Sequence, residues 1–154
     1  MTQAPLMDRI HITEDYDVPR VINGGWQLSA GHALERPLDL ADASRAFNRL
    51  IDMGFDTFDC ADIYTGVEDF FGGIIRERRK AGLRLPQIHT KFVPDLNDLA
   101  NVTPAYIENI ITRSLRRLGV ERLDAVQFHW WDYSVPGMVD VAGELVRLQE
   151  KGLI

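Results

Sequence analysis

The sequence predicts an α/β chain in which four strand-helix units build a parallel sheet behind a short N-terminal β-hairpin. Three observations predict it. Four apolar stripes of helical period alternate with four short β-branched or aromatic runs of strand length. A glycine follows each stripe, where a helix commonly ends. Strands that alternate with helices pair in parallel through right-handed crossovers. The 154 residues, 45% hydrophobic and 26% charged, are enough to bury roughly 70% of the unfolded chain's surface. One domain over residues 1–154 is therefore expected, with no linker or low-complexity segment.

Each element follows from its residues. Arg9-Ile10-His11-Ile12-Thr13 and Tyr16-Asp17-Val18, separated by Glu14-Asp15, form the hairpin. Val21-Ile22 is read as the first strand of the sheet. Ala43, Phe47, Leu50 and Ile51 share one helical face closed by Gly54, and Thr57-Phe58-Asp59-Cys60-Ala61 makes the second strand. Phe70, Phe71, Ile74 and Ile75 stripe the second helix. Glu68 and Asp69 stand at its start and Arg76, Arg78, Arg79 and Lys80 at its end, as the helix dipole favours; Gly82 closes it. Ile88 to Val93 is the third strand. The third helix has Thr103 as N-cap, Pro104 at its first position, a stripe of Ile107, Ile110, Ile111, Leu115 and Leu118, and Gly119 as its end. Leu123 to Trp130 is the fourth strand, and Met138, Val141, Ala142 and Leu145 mark a fourth helix stopped at Gly152.

Composition excludes several function classes. Seventeen Lys and Arg against 23 Asp and Glu leave a net charge of -6, and the longest basic cluster runs only from Arg76 to Lys80. That gives little support for nucleic acid or an anionic membrane as partner. The cluster reads as a solvated helix end. The start, Met1 to Met7, has no basic segment followed by an apolar run, and no stretch approaches the ~20 apolar residues that span a bilayer. The single Cys60 fits a reducing compartment and reads as a small core residue, so a cytoplasmic protein is expected.

Active groups of parallel βα folds gather at the carboxyl ends of strands and in the loops that follow. Asp59 lies late in the second strand, Tyr64 in the next loop, Lys91 late in the third strand and His129 in the fourth. Charged groups in central strands need partners, and an Asp and a Lys on neighbouring strands supply each other. A free tyrosine titrates near pH ~10, so proton donation at neutral pH calls for a nearby cation to stabilise the phenolate. Lys91 would be that cation, Asp59 its anchor, and His129 a hydrogen-bond partner for a substrate oxygen on which charge develops. The chemistry this set supports is protonation of a carbonyl oxygen. No H-x-H or H-E-x-x-H pattern accompanies His89 or His129, His11 and His32 carry no pattern, and no metal site is expected.

The run Gly54-Phe55-Asp56-Thr57-Phe58-Asp59-Cys60-Ala61-Asp62-Ile63-Tyr64, with Glu68 following, resembles the aldo-keto reductase signature. Thr90-Lys91 resembles that family's strand-three lysine, and Leu123 to His129 its strand-four histidine. The resemblance implies a catalytic tetrad of Asp59, Tyr64, Lys91 and His129, and a nicotinamide contact at Gly24-Gly25-Trp26. It further implies NADPH as cofactor, a small carbonyl substrate, and reduction of an aldehyde or ketone to an alcohol. Trp26, Trp130 and Trp131, with Tyr133, would wall the substrate pocket, or else stand exposed or meet another subunit.

The family's fold is a (β/α)₈ TIM barrel, which typically takes ~250 residues. Four units fit here, and Lys151-Gly152-Leu153-Ile154 falls where a fifth strand would start. The resemblance therefore implies the N-terminal half of the barrel, with most of the cofactor site outside this chain. The alternative function is a half-barrel that is inactive alone and acts as a folding or assembly module; a metal-dependent hydrolase on the same scaffold is a weaker third. Four strands cut from a barrel leave two unpaired edges and an open inner face, expected to be apolar. Self-association, or pairing with a C-terminal half-barrel, is expected on that ground.

Overall fold

The computed structural model describes residues 7–30 and 39–154; His32 and Met1 to Leu6 lie outside them. Strands β1 (Arg9–Thr13) and β2 (Tyr16–Pro19) form the antiparallel hairpin, with Ile10 opposite Val18. Strands β3 (Asn23–Gly24), β4 (Thr57–Asp59), β5 (Gln87–Phe92) and β6 (Ala125–Phe128) form a parallel sheet in that order. Helices α1 (Leu40–Asp52), α2 (Val67–Lys80), α3 (Pro104–Leu118) and α4 (Met138–Glu150) complete the units.

Local chemistry accounts for the helix ends. The Asp39 carboxylate accepts from the backbone N–H of Ala41 and Asp42 at 2.8 and 3.0 Å, capping α1. Thr103 accepts from Tyr106 N–H at 3.2 Å, Pro104 follows it, and Gly119 ends α3 in the left-handed region (φ +67°) that favours glycine.

Side chains alternate along each strand, so the sheet has two faces. Phe58, Ile88 and Phe92 are buried in one core with Phe71, Ile74, Ile107 and Ile111 of α2 and α3. The rings of Phe47, Phe58, Phe70 and Phe71 meet at centroid distances of 5.0 to 5.6 Å. The opposite face carries Thr57, Asp59, Gln87, His89, Lys91, Ala125 and Gln127. This corrects the expectation of an apolar inner face: it is polar because its residues bond to one another and to the hairpin. Thr57 Oγ1 donates to Gln87 Oε1 at 2.7 Å, and Gln87 Nε2 donates to the Asp17 carbonyl at 3.0 Å. Arg9 donates to both Asp17 and Asp56, at 2.8 and 2.7 Å, and Tyr16 Oη lies 2.9 Å from His89 Nε2. The hairpin thereby closes the amino-terminal end of the sheet.

Two further expectations are corrected. The first strand lies at Asn23–Gly24, because the ladder is set by pairing with Phe58 and Asp59, whereas Val21 and Ile22 precede it and stay exposed. Within the basic cluster, Arg78 is only 3% exposed. Its guanidinium donates to Asp52 and Asn48 of α1 at 2.7 and 2.8 Å and to the Arg84 carbonyl at 2.6 Å, clasping α1 to α2. At the far end, Leu123 N–H donates to the Leu153 carbonyl at 2.9 Å, so Leu153 lies beside the approach to β6.

Candidate active site

Asp59 closes β4 and Lys91 is the penultimate residue of β5, so both reach the carboxyl end of the sheet. Lys91 Nζ donates to Asp59 Oδ1 at 2.6 Å and to the Cys60 carbonyl at 2.8 Å. It lies 5.3 Å from the centre of the Tyr64 ring, a cation against the face of a phenol. The backbone explains how Tyr64 comes there. Cys60 N–H donates to the His89 carbonyl at 2.7 Å and Asp62 N–H to the Lys91 carbonyl at 3.3 Å, carrying the β4 ladder past the strand. Tyr64 N–H then donates to the Ala61 carbonyl at 3.1 Å, turning the chain over the fully buried Ala61.

The loop is pinned from behind by a buried ionic network that the sequence reading did not single out. Asp62 accepts from Val93 N–H and from Arg113, each at 3.1 Å, and its carbonyl accepts from Arg117 at 3.0 Å. Arg117 also donates to Glu68 at 3.1 Å, and Glu68 accepts from Thr90 Oγ1 at 2.7 Å. Burial pushes the Asp62 carboxyl up to about 6, with the Glu68 charge adding to the shift and Arg113 opposing it. The available signal was Glu68, an acid followed by apolar Phe70 and Phe71, but its burial required knowledge of where α3 packs.

Gln127 is the second residue the reading passed over. Its Nε2 donates to Asp59 Oδ1 at 2.7 Å. Period-two alternation with His129 would have placed it on the polar face. His89 stands directly across from Asp59 and is buried, which lowers its pKa and favours the neutral ring.

His129 lies one residue beyond β6, at the same end of the sheet. Its backbone N–H donates to the Phe92 carbonyl at 3.0 Å, and its ring packs edge-on against Trp131 at 4.4 Å. Trp131 is 46% exposed and its indole N–H donates to the Pro94 carbonyl at 2.8 Å. Trp130 departs from the expected pocket wall. It is 5% exposed in the core, 5.8 Å from the Phe128 ring, and its indole N–H donates to the Val135 carbonyl at 3.2 Å. As neighbours in sequence, the two tryptophans are turned to opposite sides.

At the end of β3, Gly24 is open, with no atom within 4 Å of where a Cβ would stand, and Trp26 in the turn that follows is exposed. Gly25 is closed in. A Cβ there would come within 3.0 Å of the Asp59 carbonyl and of the Phe71 ring, while its N–H donates to that carbonyl at 2.8 Å. Gly25 is thus a packing glycine that seats the loop on β4. Cys60 is buried, which pushes its thiol up to about 12 and keeps it in the unreactive protonated form. Among the described residues, no group of three His, Cys, Asp or Glu could hold a metal ion.

Comparison with known proteins places this geometry in context. Residues 20–154 match the sequence model of the aldo/keto reductase family. The whole chain is similar, at 28% identity, to 44% of a Glycine max protein named "Probable aldo-keto reductase 1". Two solved structures share the fold. The holo form of an aldo-keto reductase from Bacillus halodurans has a TM-score of 0.74 and 23% identity over 96% of this chain and 48% of its own. An aldo-keto reductase of the silkworm Bombyx mori has a TM-score of 0.73 and 21% identity over 96% and 46%. The chain spans about half the length of these relatives.

Proposed function

Since the chain belongs to the aldo/keto reductase family, we propose that it supplies the proton-donating half of an NADPH-dependent reduction of an aldehyde or ketone to an alcohol. The observation that carries the proposal is Lys91, whose ammonium is bonded to Asp59 and the Cys60 carbonyl and lies against the Tyr64 ring. NADPH, when bound, supplies the hydride that attacks the carbonyl carbon. Tyr64 gives its hydroxyl proton to the carbonyl oxygen, and Lys91 stabilises the phenolate left behind. Asp59 holds Lys91 in place, and His129 hydrogen-bonds the substrate oxygen as charge builds on it. Gly24 and Trp26 would lie along the nicotinamide, since the open Gly24 backbone admits close approach of a flat ring. Trp131 offers an exposed apolar wall to the substrate. A reducing, cytoplasmic setting fits the single, buried Cys60 thiol.

A second reading has its own support. The chain corresponds to 44–48% of its relatives' length, so alone it would act as an assembly module, completed by a second copy or by a C-terminal half-barrel. Fluorescence titration with NADPH separates the readings: weak or absent binding by the chain alone favours the module, and tight saturable binding by a monomer contradicts it. In an assembly that completes the cofactor site, Tyr64→Phe should abolish carbonyl reduction while leaving NADPH affinity nearly intact. Unchanged turnover would remove Tyr64 from the mechanism.

A further inference from the structure

The geometry points to Gln127 as the residue that positions Asp59, and through it Lys91, an inference that rests on the reading of these groups as the proton-donating machinery. Asp59 has two candidate hydrogen-bond partners on β5. His89 is its direct cross-strand neighbour, and Lys91 lies one inward-facing position further along β5. The carboxylate is bonded to the diagonal partner, Lys91, at 2.6 Å. Gln127 accounts for that choice. It is the cross-strand neighbour of Lys91 on β6, and its Nε2 donates at 2.7 Å to the same Oδ1 that accepts from Lys91. The bond passes over β5, joining strands about 9–10 Å apart in a sheet of ordinary spacing. It draws the carboxylate toward the carboxyl end of the sheet and away from His89.

An amide suits this place better than a charged group. A lysine or arginine at 127 would compete with Lys91 for Asp59, and a carboxylate would draw the ammonium from it. The neutral N–H of Gln127 fills a lone-pair position on Oδ1 and leaves the charge of Asp59 for Lys91. Because Gln127 touches Asp59 and no reacting atom, it is a positioning residue.

The chain has only three lysines, Lys80, Lys91 and Lys151, so lysine-selective ¹⁵N labelling resolves the Lys91 ammonium beside two exposed references. The readout is the exchange rate of its protons with water in the full chain. Gln127→Met and Gln127→Ala should each speed exchange at Lys91 roughly fivefold, as loss of one hydrogen bond in the chain of contacts implies, with Lys80 and Lys151 unchanged. Asp59→Asn should speed it further. Should Lys91 keep its rate in both Gln127 variants while Asp59→Asn raises it, the positioning role is overturned and the Asp59–Lys91 reading stands. No change in any of the three overturns both.

Discussion

On the helix side of β5, Ile88, Thr90 and Phe92 are buried beneath α2 and α3, whereas on the other side Gln87, His89 and Lys91 form a floor of polar contacts reaching from the hairpin to the open rim. One strand thus serves two purposes at a spacing of two residues. The helix side holds the sheet together by close apolar packing, interrupted by the Thr90–Glu68–Arg117 and Asp62–Arg113 contacts and the Arg78 clasp. The inner side gives up that stabilisation and holds paired charge at the open rim. A parallel sheet tolerates charges in its interior only when each has a partner, and here they do.

The largest test of this contrast lies on the apolar side. Phe71 is fully buried against Phe47, Phe58 and Phe70. Phe71→Ala should lower the unfolding free energy by about 4 kcal/mol in a urea titration, and a loss below about 1 kcal/mol would mean that the outer core is not what holds the sheet.

The second test probes the buried ionic exception on that side. Folding raises the Asp62 carboxyl from 3.8 to about 6, so between those values the folded chain binds more protons than the unfolded one. Stability from Asp62 is therefore fully present below pH ~4 and lost as pH rises through about 6. Relative to Asp62→Asn, the parent should lose roughly 3 kcal/mol across that window. A flat difference between the two proteins from pH 4 to 7 would place Asp62 in contact with solvent.

Smaller effects belong to the inner face and the surface. The Lys91 side chain is 18% exposed, so Asp59→Asn leaves an ammonium with weaker partners, and a loss of about 1–2 kcal/mol is expected by denaturant titration. Arg45 pairs with Asp42 on the exposed face of α1, both side chains being more than half in solvent. Arg45→Ala should leave the melting temperature unchanged, and a clear drop would show that this pair does more than an exposed ion pair usually does.

Much of the fold was legible because its signals are local. Thr103, Pro104 and Gly119 bound α3 by capping chemistry alone, and the alternation of helical and strand periods gave the parallel sheet. What was not legible depends on pairing. Val21-Ile22 reads as a strand by composition, but the ladder is decided by contact with Phe58 and Asp59. Arg78 reads as a solvated helix end until α1 supplies Asp52 and Asn48. That Asp59, Tyr64, Lys91 and His129 gather at one end of the sheet could be read from spacing and family resemblance. The contacts of Gln127, Asp62 and Arg117 could not, because each is made across strands or helices distant in sequence. Trp130 and Trp131 look alike as neighbours, and only their contacts, with the core and the Val135 carbonyl for one and with His129 and the Pro94 carbonyl for the other, separate the buried ring from the open one.

The central claim is that the Asp59–Lys91 pair is kept for chemistry and not for stability. Its most direct test is the unfolding free energy of the double variant Asp59→Leu/Lys91→Met, which replaces both charges with apolar side chains and leaves neither unpaired. Apolar replacement of a partly buried pair is often neutral or stabilising. The account predicts a double variant within about 1 kcal/mol of the parent, or more stable than it. A loss of several kcal/mol would show the pair to be structural and contradict the claim.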